Sequence, residues 1–238
     1  MPAIAQPGPR TVAAFDRYMA TAEARIQVEQ RSPDEFLFVD SLPAAERRDT
    51  QARLRRGEVL VHKVGNTPWE IPGGLIHDWV ATAFIPGASV AQVVALVHDY
   101  DHLARYYAPD VMESRLIAHR GDHDRIFMRL RKHKVIAVVL DTEYDVRYGG
   151  LDPTHWFSDS RSTKIVESGG GDHGFLWRLN SYWRFVQADG GVLVQCEAIS
   201  LTRDIPGGLG WLIRPFVTSI PRESLEFTLR STCDALKK

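Results

Sequence analysis

Four groupings along the chain contain residue types that could do chemistry. The first is His98-Asp-Tyr-Asp-His102. Two imidazoles four apart can face one way on a helix and hold a metal. A zinc peptidase would carry Glu after the first His; here Asp99 stands there, and no third ligand is in view. Ordinary helix-surface polarity accounts for the same residues. The second grouping is His119, Asp122, His123 and Asp124, at a turn, where such residues are favoured for their own backbone reasons. The third is His77-Asp78 beside Trp79. Neighbours on a strand point to opposite faces, so these two are not a dyad. His77 shares the face of Trp79, and Asp78 that of Val80 and Phe84. Whichever points inward is a buried ionisable group, either functional or held by structural hydrogen bonds. The fourth is Cys196 and Cys233, too few for a Cys/His zinc framework, and their pairing cannot be read from spacing. There is no G-x-S-x-G elbow, and the glycine runs at 169–174 and 207–210 lack the strand–glycine–helix setting of a phosphate site. No catalytic residue, metal ligand or cofactor is assigned.

The elements that must position these groups follow from hydrophobic spacing. Val12, Phe15, Met19, Ala22 and Ile26 make one stripe of a helix over about 11–29, with Thr11 as its cap. A weaker helix runs over 43–56 and stops at Gly57. Two short helices make no core of their own, so residues 1–56 read as an extension packed on a main domain, 57–238. That domain opens with strands at 58–64 and 75–85, separated by turn material. After Pro86-Gly87, Ser89 caps a helix with the stripe Val90, Val93, Val94, Val97, running on through Tyr106-Tyr107. Those tyrosines either rim a cavity or pack the helix end. Strands are expected at about 111–119, 124–133, 134–148, 155–167, 175–187 and 192–203. A last helix starts near Ser219-Pro221 and places Leu225, Leu229, Thr232 and Leu236 on one face, with Arg222, Glu226 and Arg230 laddered on another.

Composition bounds the partners. The 238 residues are 44% hydrophobic and 25% charged, a globular mixture, and 29 basic against 30 acidic side chains leave no field that would steer the chain onto nucleic acid. No apolar run reaches the roughly 18 residues of a membrane span. The N-terminus shows no apolar core of a signal peptide, which fits a cytoplasmic protein, or an exported one whose signal has been cut away. Transient contact with a membrane surface stays open.

The order strand, helix, antiparallel strands, long C-terminal helix resembles the START-like, helix-grip superfamily. Lipid-transfer START domains, polyketide cyclase/dehydrase-type proteins and coenzyme Q-binding proteins belong to it. The likeness is carried by FIPGASVAQVVALVHDYDHLARYYAPDV, positions 84–111: a strand ending at Pro86, a helix, and Pro109-Asp110-Val111 opening the next strand. It covers about 75–236 and implies an α+β fold in which a curved antiparallel sheet grips the last helix around a cavity. Such a fold serves carriers, enzymes and regulators alike.

Strand parity suggests what that cavity offers. Over 134–148, Asp141, Glu143, Asp145 and Arg147 form a wet face, pairing with Arg125, Arg129 and Arg131; Val138, Leu140, Tyr144 and Val146 face inward. Trp156, Ser158, Ser160 and Ser162 share a face, as do Phe175, Trp177, Leu179, Ser181, Trp183 and Phe185, and Val194, Cys196, Ala198 and Ser200. Aromatic walls with small hydroxyl residues describe a pocket for a lipid, an isoprenoid quinone or a polyketide-like aromatic. The expected ligand-binding residues are His77, Trp79, Tyr144, Ser160, Trp177, Ser181, Trp183 and Cys196. A non-catalytic binder is the leading reading; a cyclase/dehydratase-type enzyme and a protein-interaction module are the alternatives.

Overall fold

A strand of thirteen residues with apolar side chains on both faces cannot sit at a wet surface, and Gly74–Pro86 is buried along almost its whole length. The architecture follows from covering it twice. The computed structural model describes residues 6–133, 137–168, 175–204 and 210–237, with side chains in the last stretch from Ser219 onward. Helix α1 (Pro9–Glu29) leads through two short 3-10 turns to α2 (Ala44–Arg55), then β1 (Leu60–Lys63), β2 (Trp69–Ile71) and β3 (Gly74–Pro86). Helices α3 (Val90–Val97) and α4 (Leu103–Tyr106) precede six strands: β4 (Val111–Arg120), β5 (His123–His133), β6 (Ala137–Asp152), β7 (His155–Ser168), β8 (Arg178–Ala188) and β9 (Gly191–Arg203). Helix α5 (Gly210–Leu236) ends the chain. The strands form one antiparallel sheet in the order β1-β3-β9-β8-β7-β6-β5-β4, with β2 also paired to β3.

Helix α5 touches both halves of this sheet. Leu225, Leu229 and Cys233 pack with Ala81, Ala83, Ile85 and Val194, while Ile220 and Phe227 reach the side chains of Leu130 and Leu140. One helix can meet strands so far apart in the order only if the sheet curls around it. The fold is therefore α+β, of helix-grip type.

Three local readings change. The segment read as turn before 75 contains β2, a three-residue strand between Pro68 and Pro72, too short to leave a pattern. The helix expected to run through to 106 breaks after Val97. Asp99 takes hydrogen bonds from His102 Nδ1 (2.7 Å) and the Tyr106 hydroxyl (2.9 Å), and Asp101 takes the Leu116 backbone N–H (2.9 Å). Acids that bond locally compete with the helix ladder. Helix α5 begins at Gly210, and Pro221 lies within it.

The face of the sheet opposite α5 is covered by the N-terminal segment. Phe15, Met19, Ala22 and Ile26 pack on Ile76, Tyr182, Ile199 and Leu201, and Phe36, Leu37 and Val39 pack against Phe157, Val186 and Leu193. Polar side chains of the same face are buried with them. Asp78 lies here, not toward α5: its carboxyl accepts a hydrogen bond from the Tyr18 hydroxyl (2.7 Å). Glu197 beside it is held by Arg25 (2.5 Å), and Arg184, fully buried, is held by Glu29 (2.6 Å) and the Phe36 carbonyl (2.6 Å). Tyr182 donates to Glu23, and Gln30 to Asp159, each at 2.7 Å. Farther along, β5 and β6 keep their charges in water, where Arg129 binds Asp141 through two nitrogens (2.7 and 3.0 Å).

Two outcomes are expected. Ile26→Ala should cost about 2–5 kcal/mol in urea unfolding, as for a buried aliphatic residue; a loss near zero would mean that α1 does not stabilise the sheet. The second concerns pH. Burial, then the charge of Glu197, raises the Asp78 carboxyl to about 8. A raised acid favours the fold in its neutral form. Its stabilising effect is complete below the ordinary carboxylate range near pH 4 and is lost as pH climbs to about 8. Asp78→Asn stays neutral, so its stability relative to wild type should rise between pH 5 and pH 8.5. A flat difference would show that Asp78 is charged in the fold.

Candidate functional site

Between α5 and the middle of the sheet the facing side chains are too small to meet. Reading across the strands, Ser160 on β7 opposes Ser181 on β8, which opposes Ala198 on β9; one rung away, Ser158 opposes Trp183, which opposes Cys196. These residues, with Ser200, line a cavity of about 260 Å³. An engineered apolar cavity of about 150 Å³ admits benzene, so this one holds more than a single ring. Its walls are apolar. Val97, Tyr100 and Leu103 contribute from the α3–α4 side, and Val111, Ile126 and Leu140 from the sheet.

Beside the serines, the polar groups at the lining are threonines, tyrosine phenols and one ion pair. Tyr144 on β6 is 2% exposed, and its hydroxyl makes no hydrogen bond to a described group. Burial pushes its pKa up to about 12 while Thr142, whose own hydroxyl is given to the Met128 carbonyl, pulls the other way. Tyr144 is therefore a neutral donor at any physiological pH. The Tyr107 hydroxyl is bonded to Thr232 of α5 (3.0 Å), which tethers α5 to the end of α4. At one end of the cavity Lys132 forms an ion pair with Asp110, and both also line a smaller opening with His133 and Glu223. Burial lowers the Lys132 pKa and the Asp110 charge pulls it back.

Of the residues expected at the site, Tyr144, Ser160, Ser181, Trp183 and Cys196 line the cavity together. Trp79 is on the same face of the sheet but packs in the core under α5, with Lys63 over its ring (5.6 Å). His77 lies behind the lining. Its Nε2 is 3.2 Å from Thr202 Oγ1, which does face the cavity. Burial lowers the His77 pKa to about 4, so the ring is neutral. Trp177 is a correction: it packs under α1 with Phe15 and Tyr182, on the other side of the sheet from Ser181. Its N–H donates to the Leu201 carbonyl (2.8 Å), while Arg178 also pairs with Leu201. Two residues then face one, and this bulge reverses parity before β8 begins. Neither tyrosine of 106–107 rims an opening: Tyr107 is an inner wall and Tyr106 is bonded to Asp99.

Sequence reasoning passed over Lys132, Asp110 and Tyr100. Lys132 was within reach, because it keeps the parity of Ile126, Met128 and Leu130. Asp110 and Tyr100 lie outside regular elements and leave no periodic signal. The other chemical groupings resolve as structure. His102 is bonded to Asp99, and the half-buried His98 lies against Tyr148 with ring centres 4.4 Å apart. His119 is bonded to Asp124 (2.6 Å). Cys196 and Cys233 are both buried free thiols. The glycine runs at 169–174 and 207–209 lie outside the described residues. Among the described residues, no group of three or more His, Cys, Asp or Glu could hold a metal.

No family model matches the chain, and no curated protein does. Solved structures do. A fragment of a STAR-related lipid transfer protein from Xanthomonas axonopodis aligns over 76% of this chain and 99% of its own, with a TM-score of 0.52 and 17% identity. A protein of Thermus thermophilus aligns over 66% of this chain and 94% of its own, with a TM-score of 0.51 and 19% identity. At such identities the likeness is one of architecture, and this chain has the START-like, helix-grip fold.

Proposed function

We propose that the protein binds a hydrophobic small molecule in the cavity between its sheet and α5, and that it does so as a carrier. The observation that carries this reading is the unfilled, apolar space of about 260 Å³ above a floor of small residues. A ligand there would gain roughly 25 cal/mol for each Å² of apolar surface taken from water. The lipid-transfer name of the Xanthomonas protein agrees with it. In this reading residues 57–238 are the binding domain and 1–56 its cover. No helix among the described residues is long and apolar enough to cross a membrane, so exchange with a lipid phase would go through transient surface contact.

Support for carriage over a cyclase or dehydratase comes from the titratable groups at the lining. A general acid or base works best with a pKa near the operating pH. Burial moves the phenols of Tyr100, Tyr107 and Tyr144 upward, and the His77 imidazole behind the lining downward, all away from neutrality. The Lys132 ammonium is engaged by Asp110.

The test is a tryptophan-fluorescence titration with dodecanoic acid, a naphthoquinone and an alkylphenol, alongside native mass spectrometry of freshly purified protein. Trp183 lines the cavity and should report filling. Ala198→Leu places a larger side chain on the cavity floor at an overpacking cost of about 1–3 kcal/mol, and should abolish the response while the protein stays folded. Unchanged binding in this variant would place the ligand elsewhere and end the reading. Conversion of a bound ligand into product would replace carriage by catalysis.

A further inference from the structure

We propose that ligands enter and leave the cavity through the opening beside residues 220–227 of α5, and that the Lys132–Asp110 ion pair is the bolt across it. This deepens the binding reading and rests on it. His133 and Glu223 are exposed to solvent and line the opening without reaching the cavity. Asp110, Lys132, Ile220, Ser224 and Phe227 line both the opening and the cavity. Side chains that touch both spaces stand between them. These five therefore form a constriction that separates a bound ligand from water.

Farther along α5 the contact with the rest of the fold is sealed. Leu229 and Cys233 belong to the core that holds Ala81, Ala83 and Val194. Thr232 is bonded to the Tyr107 hydroxyl (3.0 Å), and both residues are buried. A ligand leaving there would have to pull a helix off its apolar seat and break a buried hydrogen bond. At the constriction, side-chain movement is enough.

The backbone around the bolt is fixed. Lys132 belongs to β5, and the Asp110 carbonyl accepts the Arg131 backbone N–H (2.8 Å). What closes the gap on this side is the pair of side chains, facing Ile220 and Phe227 of α5 across the passage. The two ends of the pair are only 20% and 25% exposed. Separating charges in so dry a place leaves each poorly solvated. Side chains change rotamer within picoseconds to nanoseconds when nothing holds them, so the pair, and not a backbone motion, sets the barrier to passage. A bolt of this kind acts on entry and exit alike. It changes rates and leaves affinity nearly unaltered, whereas a residue that grips the ligand changes chiefly the off-rate.

The experiment measures binding and release of N-phenyl-1-naphthylamine, an uncharged apolar fluorophore, by stopped flow. The proteins are wild type, the double variant Lys132→Met/Asp110→Asn, Ser224→Phe and Thr232→Val, with melting curves to confirm folding. The double variant removes both charges, so neither is left unpaired. It should speed entry and release together, each about 3- to 10-fold, with Kd within about twofold of wild type. Ser224→Phe narrows the constriction and should slow both rates by a similar factor. Thr232→Val loosens the far end of α5 and should leave both rates within about twofold. Wild-type rates in the double variant and in Ser224→Phe, or faster exchange in Thr232→Val than in the double variant, would overturn the route while leaving cavity binding in place. A change in the off-rate alone would make Lys132 and Asp110 ligand contacts and overturn the bolt. Failure of the fluorophore to bind wild type would overturn the binding reading itself, and the route with it.

Discussion

The ladder between β3 and β9 is the contact on which the rest of the structure depends. It joins the first long strand of the sheet to the last over thirteen residue pairs, from Gly74–Arg203 to Pro86–Gly191. Glycines at its two ends let the backbones close up. A Cβ on Gly191 would collide with the Ile85 carbonyl, and one on Gly74 would lie 2.9 Å from the Thr202 carbonyl. Because β3 leads into α3 and β9 leads toward α5, the ladder brings both helices to one face. Because its strands are central, both of their faces must be covered. On one side it holds Ala81, Ala83 and Val194 under α5; on the other it holds Asp78 and Glu197 under α1.

The two covers are chemically different. Under α5 the contact is apolar and incomplete, and the shortfall is the cavity. Under α1 an apolar stripe is accompanied by partly buried hydrogen bonds to strands β3, β9, β8 and β7. Removing charges from water costs several kcal/mol per ion, and their pairing recovers this only with good geometry. Arg184 shows the geometry that is needed, with Glu29 and the Phe36 carbonyl on its guanidinium. Such bonds have one register. A helix held by leucines alone could slide or rotate on the sheet; α1 with Tyr18, Glu23, Arg25 and Glu29 each bonded to a sheet residue cannot do so without breaking partly buried polar contacts.

This division of labour explains how the protein keeps an open interior. A void forfeits packing contacts along its walls, and small residues at Ser160, Ser181 and Ala198 forgo burial that larger ones would supply. The compensation lies on the opposite face of the same strands, where Tyr182, Ile199 and Leu201 are packed with α1. Stability is drawn from one side of the sheet and binding space is kept on the other.

Alternation along strands was legible from the chain alone. Tyr144, Ser160, Ser181, Trp183 and Cys196 were placed on inward faces by period-two spacing, and the structure brings them to one cavity. The stripe Phe15, Met19, Ala22, Ile26 likewise marked a helix with a face to bury. Both signals are local: they depend on backbone geometry within a few residues. Trp177 shows where local reading stops, since one extra residue opposite Leu201 turned it to the other face. Beyond the break after Val97, Asp101 accepts the Leu116 N–H from fifteen positions away, a contact that no local pattern announces. Only the tertiary structure decided that Asp78 and Glu197 would be roofed by α1, and that serines on β7 and β8 would line an open cavity. Which residues share a face is set by the rise and twist of the chain at that point. What covers that face, and what it leaves empty, is set by elements tens to hundreds of residues away, and no local pattern encodes their distance.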